Sequence, residues 1–100
     1  MKVRFRQTGG IAGLVLGCDL DTTIMLQDEA NQLLQLVEQA RVHEIGERRH
    51  PRGRDLLAYE LVIEEKGRGI KTSFDSMTAL PQVEPLLQFL SHRAHAVPVD

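Results

Sequence analysis

Val3-Arg-Phe-Arg-Gln-Thr-Gly-Gly-Ile-Ala-Gly-Leu-Val-Leu-Gly-Cys-Asp-Leu20 decides the fold. Two runs of alternating residues flank a cluster of glycines, which is the pattern of an antiparallel strand pair joined at a tight tip. In the first run Val3, Phe5 and Gln7 alternate with Lys2, Arg4 and Arg6, so one face is apolar and the other carries a basic stripe. The second run answers with Leu14, Leu16, Cys18 and Leu20. Gly9, Gly10 and Gly13 crowd the tip and leave Ile11 between them. Glycine supplies the positive φ that tight turns require and lets another molecule approach the main chain. The tip Thr8, Gly9, Gly10, Ile11, Ala12 and Gly13 is therefore the first candidate contact site.

Outward from this hairpin the period changes. Leu26, Ala30, Leu33, Val37 and Ala40 step by three and four, with Leu34 and Leu36 widening the stripe, which predicts an amphipathic helix. Asp28 and Glu29 at its start and Arg41 near its end suit the helix macrodipole. Residues 43–54 lose all periodicity and contain Gly46, Pro51 and Gly53, so they are expected to form a loop. Alternation resumes with Leu57, Tyr59, Leu61 and Ile63. A turn over Glu65-Lys-Gly-Arg-Gly69 follows, and then Ile70, Thr72 and Phe74. A last helix is expected from Pro81–Pro85, burying Val83, Leu86, Leu87, Phe89 and Leu90, and residues 96–100 are expected to fray. The fold class is α+β with the order ββαββα, an antiparallel four-stranded sheet packed with two helices on one face.

Composition bounds the class. One hundred residues, 42% apolar and 26% charged, make one domain over residues 1–100. The lone Cys18 cannot form an internal disulfide, and it falls on the apolar alternation, so it reads as a buried small hydrophobe in a reducing compartment. No apolar run suits a secretory signal or a membrane span, and the expectation is a cytoplasmic protein without a membrane partner.

Catalytic chemistry finds little support. None of His43, His50, His92 and His95 sits in a His-Glu-x-x-His pattern. His92 and His95, three apart at a helix end, are read as solvated or as partners of terminal carbonyls rather than metal ligands. Glu64 and Glu65 fall on opposite strand faces and make no acid/base pair. The chain is read as a non-enzyme without cofactor or metal. The alternative binding class rests on Arg48, Arg49, Arg52 and Arg54 in the loop, with Lys2, Arg4 and Arg6 on the first strand. Such a set can neutralise phosphates in a small nucleic-acid-binding module, or serve another protein-interaction module. A net charge of −2 and only four aromatics, with Phe5, Tyr59 and Phe74 on apolar alternations, argue against nucleic acid.

Several elements together resemble the emfourin family: Arg6-Gln-Thr-Gly-Gly-Ile-Ala-Gly13, Asp21-Thr22 before a leucine-rich helix, Asp55-Leu-Leu-Ala-Tyr59-Glu-Leu-Val, and a closing Pro85-Leu-Leu helix. The likeness spans nearly the whole chain. It implies a small bacterial protein inhibitor of thermolysin-like zinc metallopeptidases, especially the protealysin group. The implied partner is such a peptidase; separately, the free chain is expected to be a monomer. This sequence departs from the family at Ile11, where phenylalanine is more usual, and in its basic loop. Peptidases of this group, by the same resemblance, favour a large apolar residue just after the scissile bond, which makes Ile11 a candidate plug. Arg48, Arg49, Arg52 and Arg54 are a possible secondary contact. The competing reading has Ile11 start the second strand and turn inward, with the glycines serving hairpin or bulge geometry. Asp55 and Tyr59 are read as scaffold.

Overall fold

The alternation over the opening stretch produces two paired strands, β1 (Lys2–Thr8) and β2 (Val15–Asp21), antiparallel with Phe5 opposite Cys18 and Arg4 opposite Asp19. The structure, a computed structural model, describes residues 1–9, 14–42, 47–48, 57–76 and 78–97. Helix α1 (Gln27–Ala40) follows, and its buried Ala30, Leu33, Val37 and Ala40 are the predicted stripe. Leu26 corrects the prediction. It is the N-cap of α1 and 73% exposed, because the first stripe position falls before the helix has turned its face to the core. Arg41 takes the left-handed C-cap conformation, with φ 49° and its N–H donating to the Glu38 carbonyl.

Among the described residues the sheet has six strands rather than four, in the order β3 (Glu47–Arg48), β5 (Arg68–Asp75), β4 (Ala58–Glu65), β1, β2, β6 (His95–Val97). Strands β4 (Ala58–Glu65) and β5 (Arg68–Asp75) form the second hairpin, antiparallel to each other, with β4 also antiparallel to β1. Glu65 pairs with Arg68, so only Lys66 and Gly67 make the turn, with φ 53° and 79°. A two-residue turn with both φ values positive matches the twist of the flanking strands, and Gly67 takes its position without a Cβ penalty.

The two additional strands are short. β3 (Glu47–Arg48) pairs parallel with β5, inside the expected loop, and β6 (His95–Val97) pairs antiparallel with β2, overlapping the start of the tail expected to fray. Two or three residues are too few to show a period. What recruits them is the outer edge of β5 and of β2, whose backbone N–H and C=O groups need partners. The remainder of 43–54, and 98–100, lie outside the described residues.

A 3-10 turn (Pro81–Val83) leads into α2 (Glu84–Ser91), with Pro85 in the first helical turn where its missing N–H costs nothing. Val83, Leu86, Leu87, Phe89 and Leu90 are buried as expected. They meet Leu33 and Val37 of α1 and the inward residues Val3, Phe5, Cys18, Leu61, Ile63 and Phe74 of the sheet in one core. Each fully buried leucine or phenylalanine here contributes roughly 1.5–3 kcal/mol of transfer free energy. Both helices cover the same sheet face, which leaves the other open. Among the described residues no helix is long and apolar enough to cross a membrane.

Candidate functional site

Thr8 and Gly9, the described residues of the candidate tip, stand at one end of the sheet. Thr8, the last residue of β1, is exposed and pairs with Ala58 of β4, and exposed Gly9 follows with φ 94°. On the return, Leu14 is 54% exposed rather than on the buried alternation, and Val15 pairs with Val97 of β6. Gly10, Ile11, Ala12 and Gly13 lie outside the described residues. Arg48 ends β3 opposite Phe74, while Arg49, Arg52, Arg54 and Asp55 lie outside the described residues. Register nevertheless relates the two stretches. Thr8 pairs with Ala58, Tyr59 pairs with Phe74 and Arg48 pairs with Phe74, so Thr8, Arg48 and Ala58 all stand at the same end of the sheet.

Beneath that end lies an aromatic row on the helix-covered face. The Phe5 and Tyr59 rings stack with centroids 6.2 Å apart, and Tyr59 meets Phe74 at 5.5 Å with a 40° tilt. Burial first, and then the charge of Glu84, push the Tyr59 phenol up from its ordinary pKa. Tyr59 is thus packed against the core as a support for the strand ends.

The basic stripe of β1 has its counter-charges built in. Register sets Arg4 opposite Asp19, and Arg4 Nε lies 3.3 Å from Asp19 Oδ1. Arg6 donates from Nη1 to the same oxygen at 3.0 Å and to the Phe5 carbonyl at 2.8 Å. The hydrogen bond from Arg6 holds the Asp19 carboxyl below its usual range, and the charges of Arg6 and Arg4 add to the effect. Lys71 pairs with Glu60 at 3.6 Å, and Lys2 stands in register with Asp21 and Glu64. An open face neutralised this way is a poor phosphate track.

The remaining sequence candidates are placed as follows. Cys18 is buried with its thiol directed at the Leu90 carbonyl, 3.7 Å away, and burial pushes its pKa up, the reverse of an activated nucleophile. His92 Nδ1 lies 2.7 Å from the Gln88 carbonyl, the helix-end role expected of it, and His95 enters β6 opposite Gly17. Glu64 and Glu65 are both exposed. Among the described residues no three His, Cys, Asp or Glu side chains are grouped to hold a metal ion.

Sequence reasoning passed over one feature. Between β2 and α1, Ile24 is 84% exposed and Leu26 73% exposed on a short turn held at several points. Asp21 Oδ1 accepts from the Thr23 N–H at 2.9 Å and from the Thr23 hydroxyl at 2.6 Å, while the Ile24 N–H donates to the Asp21 carbonyl. The Met1 ammonium donates to Thr22 Oγ1 at 3.0 Å, and the Thr22 N–H returns a bond to the Met1 carbonyl. The signal available in the sequence was Asp21-Thr22-Thr23, since an aspartate readily accepts hydrogen bonds from the backbone two residues on.

The emfourin family model matches residues 5–91, from within β1 to the end of α2, so it includes both hairpins, both helices and the Gly-rich tip. No match was found among curated proteins or among solved structures. With nearly all of its described fold inside that match, this chain belongs to the emfourin family.

Proposed function

We propose that this chain is a single inhibitor domain over residues 1–100 that blocks thermolysin-like zinc metallopeptidases of the protealysin group by a stoichiometric protein–protein complex. Membership of the emfourin family is the observation that carries this reading, because that membership suggests a metallopeptidase-inhibitor role. The Gly-rich end, Thr8 to Gly13, enters the peptidase cleft with Ile11 as its apolar plug. Arg48, Arg49, Arg52 and Arg54 approach acidic groups at the cleft rim. Two features support the assignment of this end. The flanking strands are held by pairing on both sides of the hairpin, with Thr8 against Ala58 and Val15 against Val97, so little order remains to be imposed on them by binding. Thr8, Arg48 and Ala58 also stand at one end of the sheet, so a single partner can reach Thr8 and Arg48 together.

The test is a titration of the purified protein against a protealysin-type peptidase, following residual peptidase activity, with Ile11→Asp in parallel. The expected result is stoichiometric loss of activity by the wild type, at least about tenfold weaker for the variant, and a complex that persists at moderate salt. Absence of inhibition by the wild type overturns the inhibitor reading, and full potency of Ile11→Asp overturns the plug.

A further inference from the structure

Arg6 stands near the Gly-rich end of β1 with an acidic residue on each neighbouring strand. Register sets it opposite Glu60 of β4 on one side and opposite Gly17 of β2 on the other, with Asp19 two residues further along β2. Arg6 pairs with Asp19. Its Nη1 lies 3.0 Å from Oδ1 and its Nη2 lies 3.4 Å from Oδ2, while Nη1 also donates to the Phe5 carbonyl and reaches the Cys18 carbonyl at 3.5 Å. Glu60 pairs instead with Lys71 of β5. The direction follows from Gly17, which has no side chain to occupy the space that the guanidinium fills.

Two contrasts separate Arg6 from the rest of the basic stripe. Arg4 meets Asp19 through Nε and is 61% exposed, whereas Arg6 meets it through both terminal nitrogens and is 23% exposed. The pairing of β1 with β2 then runs on only to Gln7 opposite Leu16. Among the described residues, no side-chain bond joins β1 to β2 nearer the Gly-rich end than that of Arg6. Residues 8–9 and 14–15 therefore stand just beyond one cross-link between the two strands.

We infer that Arg6 is a positioning residue for inhibition: seated on Gly17 and held by both oxygens of Asp19, it fixes β1 against β2 so that the Gly-rich end meets the peptidase already ordered. This role rests on the inhibitor reading above. A planar guanidinium held by both oxygens of a carboxylate fixes direction as well as distance, which a lysine ammonium does not. Order set before binding is order that binding need not impose, so the benefit falls on affinity. Stability gains little from the same bond, since Asp19 is 58% exposed and solvent weakens a pair at the surface.

The experiment compares inhibition of a protealysin-type peptidase by the wild type, Arg6→Lys, Arg6→Gln, Asp19→Asn and the variant carrying both Arg6→Gln and Asp19→Asn. Thermal melting and hydrogen exchange of each free chain accompany it. Each single variant is expected to keep its fold and to inhibit at least about tenfold more weakly, because strand ends left loose must be ordered on binding. The double variant should be no weaker than the weaker single one, since the same bond is lost in both. Amide exchange at residues 7–8 and 15–16 should quicken in every one of these variants. Lys71→Gln, which removes an ion pair between β4 and β5, should leave inhibition as it was. Full potency of Arg6→Gln overturns the inference, and full potency of Arg6→Lys does so by showing that charge alone suffices. Weak inhibition by Arg6→Gln beside full potency of Asp19→Asn, or additive losses in the double variant, overturns it in favour of direct contact between Arg6 and the peptidase. A wild type that fails to inhibit removes the inhibitor reading and this role with it, whereas fully potent variants of an inhibiting wild type remove the role alone.

Discussion

The Arg6 side chain lies directly over Gly17, its strand partner. A Cβ built on Gly17 would stand 2.8 Å from Arg6 Cδ and Nη1, and would collide with the Phe5 carbonyl oxygen. The missing side chain is what lets the guanidinium settle onto the sheet and reach both the Phe5 carbonyl and Asp19.

Gly17→Ala should therefore destabilise the protein by about 1–3 kcal/mol, the range for forcing added volume into filled space. Backbone cannot move aside as a flexible side-chain end can, so relief must come from displacement of β1 against β2. Chemical denaturation read by circular dichroism measures the loss, and a change within about 0.5 kcal/mol would show that the strands adapt freely.

Asp19 links this contact to pH. Its folded pKa is depressed, so its contribution is present above the unfolded carboxylate pKa and is lost as pH falls through that range towards the folded value. The side chain is 58% exposed, which limits the stabilisation to below about 1 kcal/mol. Asp19→Asn should melt below the wild type at neutral pH, and the gap should shrink on acidification. A gap that grows in acid would contradict the assigned sign.

Leu26→Asp should raise stability. Leu26 has the extended dihedrals of an N-cap, φ −57° and ψ 140°, and no side-chain bond to the helix. A carboxylate there can accept from the first-turn N–H groups and adds favourable charge at the helix start, together about 0.5–2 kcal/mol. A rise in melting temperature checks it; an unchanged value would mean that Asp28 and Glu29 already supply that charge.

Cys18 should resist thiol reagents. The side chain is 3% exposed, and burial disfavours its thiolate. In the native protein at neutral pH, labelling by a disulfide reagent should be slow and limited by unfolding, then complete within mixing time in denaturant. Rapid labelling without denaturant would show that β2 and α2 separate readily at Leu90.

Much of this fold was legible in the chain. Lys2, Arg4 and Arg6 do face away from Val3 and Phe5, and Ala30, Leu33, Val37 and Ala40 do form the buried stripe, because a strand or helix with one wet face must repeat at its own period. β3 and β6 were not legible, since they are defined by the edges they join rather than by a period of their own. Arginines read along β1 look like a free basic patch. Their neutralisation by Asp19 emerges only once register sets residues 4 and 19 opposite each other. The exposure of Ile24 and Leu26 was hidden for a related reason. Leu26 continues the helical spacing, and nothing in spacing reveals that the helix begins one residue later.

The shortness of β3 and β6 has a further consequence for how the molecule behaves in a crowded solution. A sheet ends in two rows of unsatisfied backbone groups, and a long flat row is a template on which another chain can add. Among the described residues β3 covers β5 only at Ser73 and Phe74, and β6 covers β2 only at Val15, Leu16 and Gly17, so the rest of each long strand keeps an outer row of its own. What guards those rows is charge, with Arg68 and Lys71 along β5 and Asp19 and Asp21 along β2 discouraging a further chain from adding there.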